Sequence, residues 1–381
     1  MDPTLRVAVD LRPLALDSIS GIGLLLTQLL RTLAPRGVSF TGVAHRPVPA
    51  DRLPVAVPVA VDAGEGGRIR WERRTLPRLL RAIDPPPDLY HATWNHGVPP
   101  GLPFPALLSL HDLIPWTSPG LVPWPRPAFL HRALYRDAVR RSVRAAALVV
   151  TLSDASRRAI EARVPGAAPK TTVVPCAVPA WFRPDAAAAA AARAAGGGAP
   201  YWLYVGGFDP RKGILLLLDA LAAARAAGAD VPEVVLAGAM NPEGERCRER
   251  ARALGVPARF PGYVPDADLA GLYAGASLFL YPSRAEGFGI PPLLAMAAGV
   301  PAMVGDGGAL PEVVGDAGLV VPSGDAAAWT EAIRRAALDP GALRPLAAAG
   351  PARAATFSEE RLAERMLRVY ERAAGRRAGS A

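Results

Sequence analysis

Short apolar runs that end in a polar or glycine-bearing loop and then pass into a helix-forming stretch recur along this chain. That repeat limits its fold more than any other feature. Leu5-Arg-Val-Ala-Val9 alternates into Asp10, and Gly21-Ile-Gly23 opens a leucine-rich stretch through Leu33. Residues 106–110 run into His111-Asp112, residues 146–152 into the helix-capping pattern Ser153-Asp154-Ala-Ser156, and residues 171–174 read as a further strand. Residues 202–205, 233–237, 258–264, 278–281 and 302–304 repeat the pattern in the second half. Such alternation predicts an α/β fold: two doubly wound, Rossmann-like domains, each a parallel sheet covered by helices, facing each other across a cleft.

Length agrees with two domains, since 381 residues can fill two independent cores. Residues 186–198 are almost entirely alanine and glycine and are the natural linker, so the expected division is 1–178, a linker at 179–199, 200–360, and a terminal helix and tail at 361–381. No apolar run approaches the roughly 18 residues that cross a bilayer, and the first ten residues lack a signal-peptide pattern, so a cytoplasmic chain is expected. Cys176 and Cys247 have neither disulfide-framework nor zinc spacing, and the five histidines show no HExxH-like pattern; no metal is expected.

A net charge of +9 implies phosphate-bearing partners. Nucleic acid is not favoured, because zinc-finger spacing, a helix-turn-helix and a basic run interleaved with aromatics are all missing. Arg132, Arg136, Arg140 and Arg144 recur every fourth position, which on a helix makes a guanidinium ridge suited either to solvent or to the anionic inner face of a membrane. The basic run Arg68-Ile-Arg-Trp-Glu-Arg-Arg74 reads as a solvated helix face.

Two stretches carry chemistry. In Gly206-Gly-Phe-Asp-Pro-Arg211-Lys212-Gly213 a pair of cations precedes a leucine-rich helix. Cations at a helix N-terminus are unfavourable until an anion arrives, and a diphosphate would use the amides, the dipole and both charges together. In Tyr281-Pro-Ser-Arg-Ala-Glu286-Gly287-Phe288-Gly289 an acid and two glycines stand at the carboxyl end of a strand, where α/β sheets bind ligands. His111 stands at another strand end. The stretch 10–23 is not a dinucleotide fingerprint: its loop is too long and the third glycine is missing, which argues against a nicotinamide enzyme.

The ordered set formed by the Lys212 loop, Gly262-Tyr263-Val264, Glu286-Gly-Phe-Gly and Leu310-Pro-Glu resembles the family 4 retaining glycosyltransferases, whose group 1 domain has the GT-B fold. The resemblance implies a retaining, metal-independent transferase with no cofactor, moving a hexose such as mannose from a nucleotide diphosphate sugar to a glycan, lipid-linked or small-molecule acceptor. It implies an acceptor-side first domain and a nucleotide-sugar-binding second domain, with the last helix returning to the first. Lys212, helped by Arg211, would bind the diphosphate, Glu286 the donor sugar, and His111 would orient that sugar. Gly21, Gly23, Gly206, Gly207, Tyr263, Val264, Gly287, Phe288 and Gly289 would line the donor. The family carries a second glutamate eight positions after the first, for the ribose hydroxyls, and this chain has Leu294 there. Two other readings fit the same pattern: a sugar-nucleotide epimerase or phosphorylase, and a non-catalytic nucleotide-sugar or partner-binding protein.

Overall fold

The computed structural model describes residues 5–16, 21–64, 67–122, 124–195 and 198–375, with the backbone alone at 68, 69 and 195. Residues 17–20 of the long loop after Asp10 and the tail beyond 375 lie outside the described residues, as does the side chain of Arg68. The chain forms two compact units. One comprises residues 1–117, 124–177 and 359–381; the other comprises 178–358 with the short segment 118–123.

The first unit is a seven-stranded parallel sheet: β1 (Leu5–Asp10), β2 (Val38–Ala44), β3 (Val59–Val61), β4 (Leu89–Ala92), β5 (Ala106–Ser109), β6 (Leu148–Thr151) and β7 (Thr171–Val173), in the order β3-β2-β1-β4-β5-β6-β7. β4, β5 and β6 are buried along their whole length, which explains why they read as unbroken apolar runs rather than alternating ones. The second unit holds β8 (Tyr201–Val205), β9 (Glu233–Ala237), β10 (Ala258–Gly262), β11 (Leu278–Tyr281), β12 (Ala302–Gly305) and β13 (Gly318–Val321), again parallel, in the order β10-β9-β8-β11-β12-β13. Both sheets therefore reverse their strand order once, between β1 and β4 and between β8 and β11. Loops that leave the carboxyl ends of those strand pairs part to opposite sides and open a crevice there.

The alanine-rich stretch differs from its expected role. Residues Ala186–Ala195 form a helix that packs on the helix Asp266–Gly275, close enough that a Cβ at Gly271 would sit 2.8 Å from the Ala188 carbonyl oxygen. It belongs to the second unit and is no spacer: alanine gives high helix propensity and a surface thin enough for close helix contact. Residues 196 and 197 of the expected linker lie outside the described residues.

The final helix, Glu359–Ala373, belongs to the first unit. Its Glu359 pairs with Arg31, and the Tyr370 hydroxyl lies 2.8 Å from His91 Nδ1. The other His91 nitrogen lies 2.8 Å from Ser109 Oγ. Burial, with His111 nearby, pushes the His91 pKa down to about 3, so it is a neutral core group fastening helix to sheet.

The arginine ridge is real as a helix, Ala128–Ala145, but it is not straight. Successive i, i+4 positions drift by about 40° because the helix has 3.6 residues per turn. Arg132 and Arg136 are half-buried, Arg140 and Arg144 exposed, and the Arg136 and Arg140 guanidinium carbons sit 5.5 and 4.9 Å from the Trp116 ring centre. At the start of the same helix Phe129 is 75% and Leu130 45% exposed.

Candidate active site

The crevice loops of the second unit bring the sequence's two chemical stretches together. After β8 the chain makes a short 3-10 turn, Pro210–Lys212, before the helix Ile214–Ala226. Gly213 joins them at φ +70°, and a Cβ there would meet the Pro282 carbonyl oxygen at 2.4 Å, so only glycine lets this loop press against the one after β11. As the helix N-cap, Gly213 also brings no side-chain oxygen to the first helical amides.

That contact places Lys212 beside Glu286, 74 residues away. Lys212 Nζ donates to Glu286 Oε1 at 2.7 Å and to the Tyr281 hydroxyl at 2.6 Å. Tyr281 and Ser283 also donate to Oε1, at 3.0 and 2.6 Å, while Arg211 Nη1 reaches Oε2 at 3.0 Å. Asp209 Oδ1 lies 3.2 Å from Arg211 Nε without the alignment of a hydrogen bond. Burial opposes ionisation of Glu286, but Lys212 and Arg211 outweigh it and hold the carboxyl at about 2. Burial pushes Asp209 up, against the pull of Arg211, so Asp209 is the weaker partner of the cation pair.

The glycine loop after β12 shapes the site through its close backbone approach to the Glu286 loop. A Cβ at Gly308, φ +66°, would meet the Glu286 carbonyl oxygen at 2.2 Å, and one at Gly307 the Arg284 carbonyl carbon at 2.4 Å. Ala309 N donates to that same Glu286 carbonyl. These glycines admit the neighbouring loop and so fix the backbone that carries Glu286.

The other expected residues divide by environment. A Cβ at Gly238 would sit 2.0 Å from the Gly206 carbonyl oxygen, so Gly206 is wedged, whereas Gly207 faces open space. Tyr263, just beyond β10, is 70% exposed, and Val264 is half-buried. Gly287 is buried, and Gly289, φ +119°, caps the helix Ile290–Ala297. The Phe288 ring packs edge-on against Phe357, so its side chain belongs to the core of the unit. Leu294 sits in the same helix with 4% of its surface exposed. Tyr281 and Ser283 were missed by sequence reasoning. The available signal was a hydroxyl at each of two positions just before the acid, at the end of an otherwise apolar strand.

In the first unit, Gly21 and Gly23 form the first turn of the helix Gly21–Leu33, with Gly23 buried. His111 follows β5 and is 4% exposed. Its Nε2 lies 2.9 Å from the Thr93 carbonyl oxygen, which can only accept, so Nε2 carries the hydrogen. Burial lowers its pKa, leaving a neutral ring whose Nδ1 is an acceptor with no hydrogen-bond partner among the described residues. A second charged network was not foreseen. Arg12 Nε and Nη2 bond Asp10 at 2.9 and 2.6 Å, Arg12 Nη1 bonds Glu72 at 2.5 Å, and Glu72 accepts from or pairs with His96 Nδ1 at 3.0 Å. Glu72 lies in the run read as solvated; Arg73 and Arg74 are exposed, but Trp71 and Glu72 turn inward.

Among the described residues, no helix is long and apolar enough to cross a membrane. Residues 199–339 match the family model described as glycosyl transferases group 1, and residues 19–182 that of glycosyltransferase family 4. The O-antigen chain mannosyltransferase B of Escherichia coli is 30% identical over 272 residues, 70% of each chain. A phosphatidyl-myo-inositol mannosyltransferase of Mycobacterium leprae is 33% identical over 44% of this chain and 46% of its own. Among solved structures, sucrose-phosphate synthase of Thermosynechococcus elongatus superposes with a TM-score of 0.76 at 22% identity over 97% of this chain and 98% of its own. HepE of Anabaena, solved with UDP-glucose, does so at 0.78 and 17% identity over 97% and 100%. With both halves matched by family models and a mannosyltransferase aligned along 70% of its length, the chain belongs to the family 4, group 1 glycosyltransferases and is an enzyme of hexosyltransferase type.

Proposed function

We propose that this enzyme transfers a hexose, with retention of configuration and without a metal, from a nucleotide diphosphate sugar to a glycan, lipid-linked or small-molecule acceptor. The observation that carries the reading is the cluster of Lys212, Arg211 and Glu286 at the reversal point of the second sheet, beside a helix start whose amides have no side-chain cap. An arriving diphosphate draws the two cations toward itself. As the bond from the anomeric carbon to the diphosphate oxygen breaks, its electron pair leaves with the phosphate, and Lys212, Arg211 and the helix amides stabilise that charge. Glu286, kept in place by Tyr281 and Ser283, remains a carboxylate and favours the cationic ring carbon. The acceptor hydroxyl attacks from the leaving-group side and gives its proton to the departing phosphate oxygen. His111 Nδ1, an unfilled acceptor, suits a donor-sugar hydroxyl.

Leu294, in this reading, takes the place of a ribose-binding glutamate, and its loss weakens donor binding without touching the bond being broken. The donor sugar to test first is mannose, because mannosyltransferases stand among the relatives. Thermal-shift screening against GDP-mannose, UDP-glucose and UDP-galactose, followed by transfer assays, tests the reading. A stabilising hit with acceptor-dependent turnover supports it, and silence with all donors favours the non-catalytic alternative. A peripheral contact with the inner, anionic membrane face through Phe129, Leu130, Arg140 and Arg144 is part of the proposal. Flotation with phosphatidylglycerol vesicles at low salt should carry the protein upward; failure to float removes that contact.

A further inference from the structure

The helix Pro242–Ala253 and the strand after it border a cavity of about 270 Å3, lined by Arg248, Ala251, Arg252, Val256, Ala258 and Phe260. The way the helix ends builds it. Gly255, φ +64°, lets the chain reverse, with Gly255 N donating to the Arg252 carbonyl and Val256 N to the Ala251 carbonyl. The reversal buries Val256 and leads into β10, the edge strand of the second sheet, whose Ala258 and Phe260, two residues apart, turn to one face. Val256 precedes β10 and Ala258 opens it, so the cavity starts at the amino end of that strand, away from the carboxyl-end crevice of Lys212 and Glu286.

We propose that this cavity is a second anion site, which holds the phosphate of a small phosphate monoester and acts on donor binding through Phe260 and Phe208. The charge argument comes from the helix end. A basic side chain in a last turn ordinarily answers the open carbonyls there, but here the amides of Leu254, Gly255 and Val256 do so. Among the described residues the Arg252 side chain makes no ion pair or hydrogen bond. Arg248, four positions earlier and so on the same helix face, pairs with Glu245, and its Nε–H is buried without a partner among the described residues. Glu245 is partly exposed, and such surface pairs contribute little, so an anion can displace it. A phosphate offers oxygens to both guanidinium groups at once, with charge-assisted hydrogen bonds. Ala251, Val256, Ala258 and Phe260 give the organic part of an ester an apolar wall, and a volume just under the roughly 300–1,000 Å3 of ordinary ligand pockets limits the occupant to one small molecule.

Both walls of the cavity also hold Phe208, three residues before Arg211. Asn241, the N-cap of the helix, donates from Nδ2 to the Phe208 carbonyl at 2.7 Å. Gly244 leaves room for the Phe208 ring, since a Cβ there would stand 3.1 Å from it, and the Phe260 ring centre lies 6.0 Å from that of Phe208. A ligand that draws helix and strand together therefore acts on Phe208 and on the Arg211-Lys212 loop that follows it.

The effect on donor binding rests on the transferase reading; the anion site does not. Titration calorimetry with inorganic phosphate, mannose 6-phosphate and ribose 5-phosphate, and with mannose as the neutral control, tests it in the wild type, Lys212→Ala, the double variant Arg248→Gln/Arg252→Gln, and Ala258→Glu. Arg248 is half-buried and Arg252 exposed, so the double variant should keep its fold by circular dichroism, and Ala258→Glu independently sets a carboxylate in the cavity. The expected result is that a phosphate ester binds the wild type and Lys212→Ala within threefold of each other and loses at least tenfold in both cavity variants, while mannose binds none of them. Saturating that ester should shift UDP or GDP affinity at least threefold in the wild type and leave it unchanged in the double variant. Loss of ester binding in Lys212→Ala with retention in the cavity variants, or no binding to the wild type, would overturn the site. Inorganic phosphate binding as tightly as both esters would overturn the ester assignment, and ester binding without a nucleotide shift would overturn the effector role. If no nucleotide binds any of the proteins while ester binding still depends on Arg248 and Arg252, the transferase reading fails and the anion site stands.

Discussion

The two units share a topology and invert its electrostatics. At the β8/β11 reversal one carboxylate, Glu286, is held between two cations; at the β1/β4 reversal one guanidinium, Arg12, is held between two carboxylates. The first arrangement can release two positive charges to an incoming diphosphate, since Asp209, the remaining counter-charge, is poorly aligned and its ionisation is opposed by burial. The second has no cation to spare. A common crevice geometry therefore presents unlike chemistry according to which sign is in the minority, a lesson about sites rather than folds.

Breaking the minority partner in each unit should give the largest effects. Arg12→Met keeps the volume but leaves Asp10 and Glu72 buried without compensation, and urea unfolding should lose about 3–5 kcal/mol. A loss below 1 kcal/mol would mean that the network is not the brace described. For Glu286 the folded pKa of about 2 lies below its ordinary 4.5, so its contribution is fully present above pH 4.5 and disappears as pH falls to about 2. That shift corresponds to about 3 kcal/mol. In Glu286→Gln the stability curve should be flatter by that amount over this window, and kcat should fall about 100-fold with KM moved less than threefold. An affinity loss without a rate loss would move Glu286 away from the reacting carbon. Tyr281→Phe removes one of four groups on the carboxylate and should cost about 1 kcal/mol, seen as a five- to tenfold lower kcat. An unchanged rate would show that Ser283, Lys212 and Arg211 hold Glu286 without it.

The sequence exposed the strand-and-helix repeat because completely buried strands such as β11 and β12 are written as apolar runs bounded by loop residues. It concealed β2 and β3, where a proline-rich connection separates a glycine-containing strand from one of three residues. The lysine loop and the Glu286 loop were each legible as chemistry. Their direct pairing was not, because it depends on Gly213 and Gly308 letting loops distant in sequence touch. Glu72 was hidden for a related reason: four arginines in its run suggested solvent, and only the fold shows that Trp71 turns it inward toward Arg12.

The most direct test of the account is titration calorimetry of UDP and GDP with the wild type and Lys212→Ala. If the cation pair trades Glu286 for a diphosphate, one of the two nucleotides binds the wild type and loses at least 30-fold in affinity in the variant, with the fold intact by circular dichroism. Binding of equal strength to both proteins, or to neither, would contradict it.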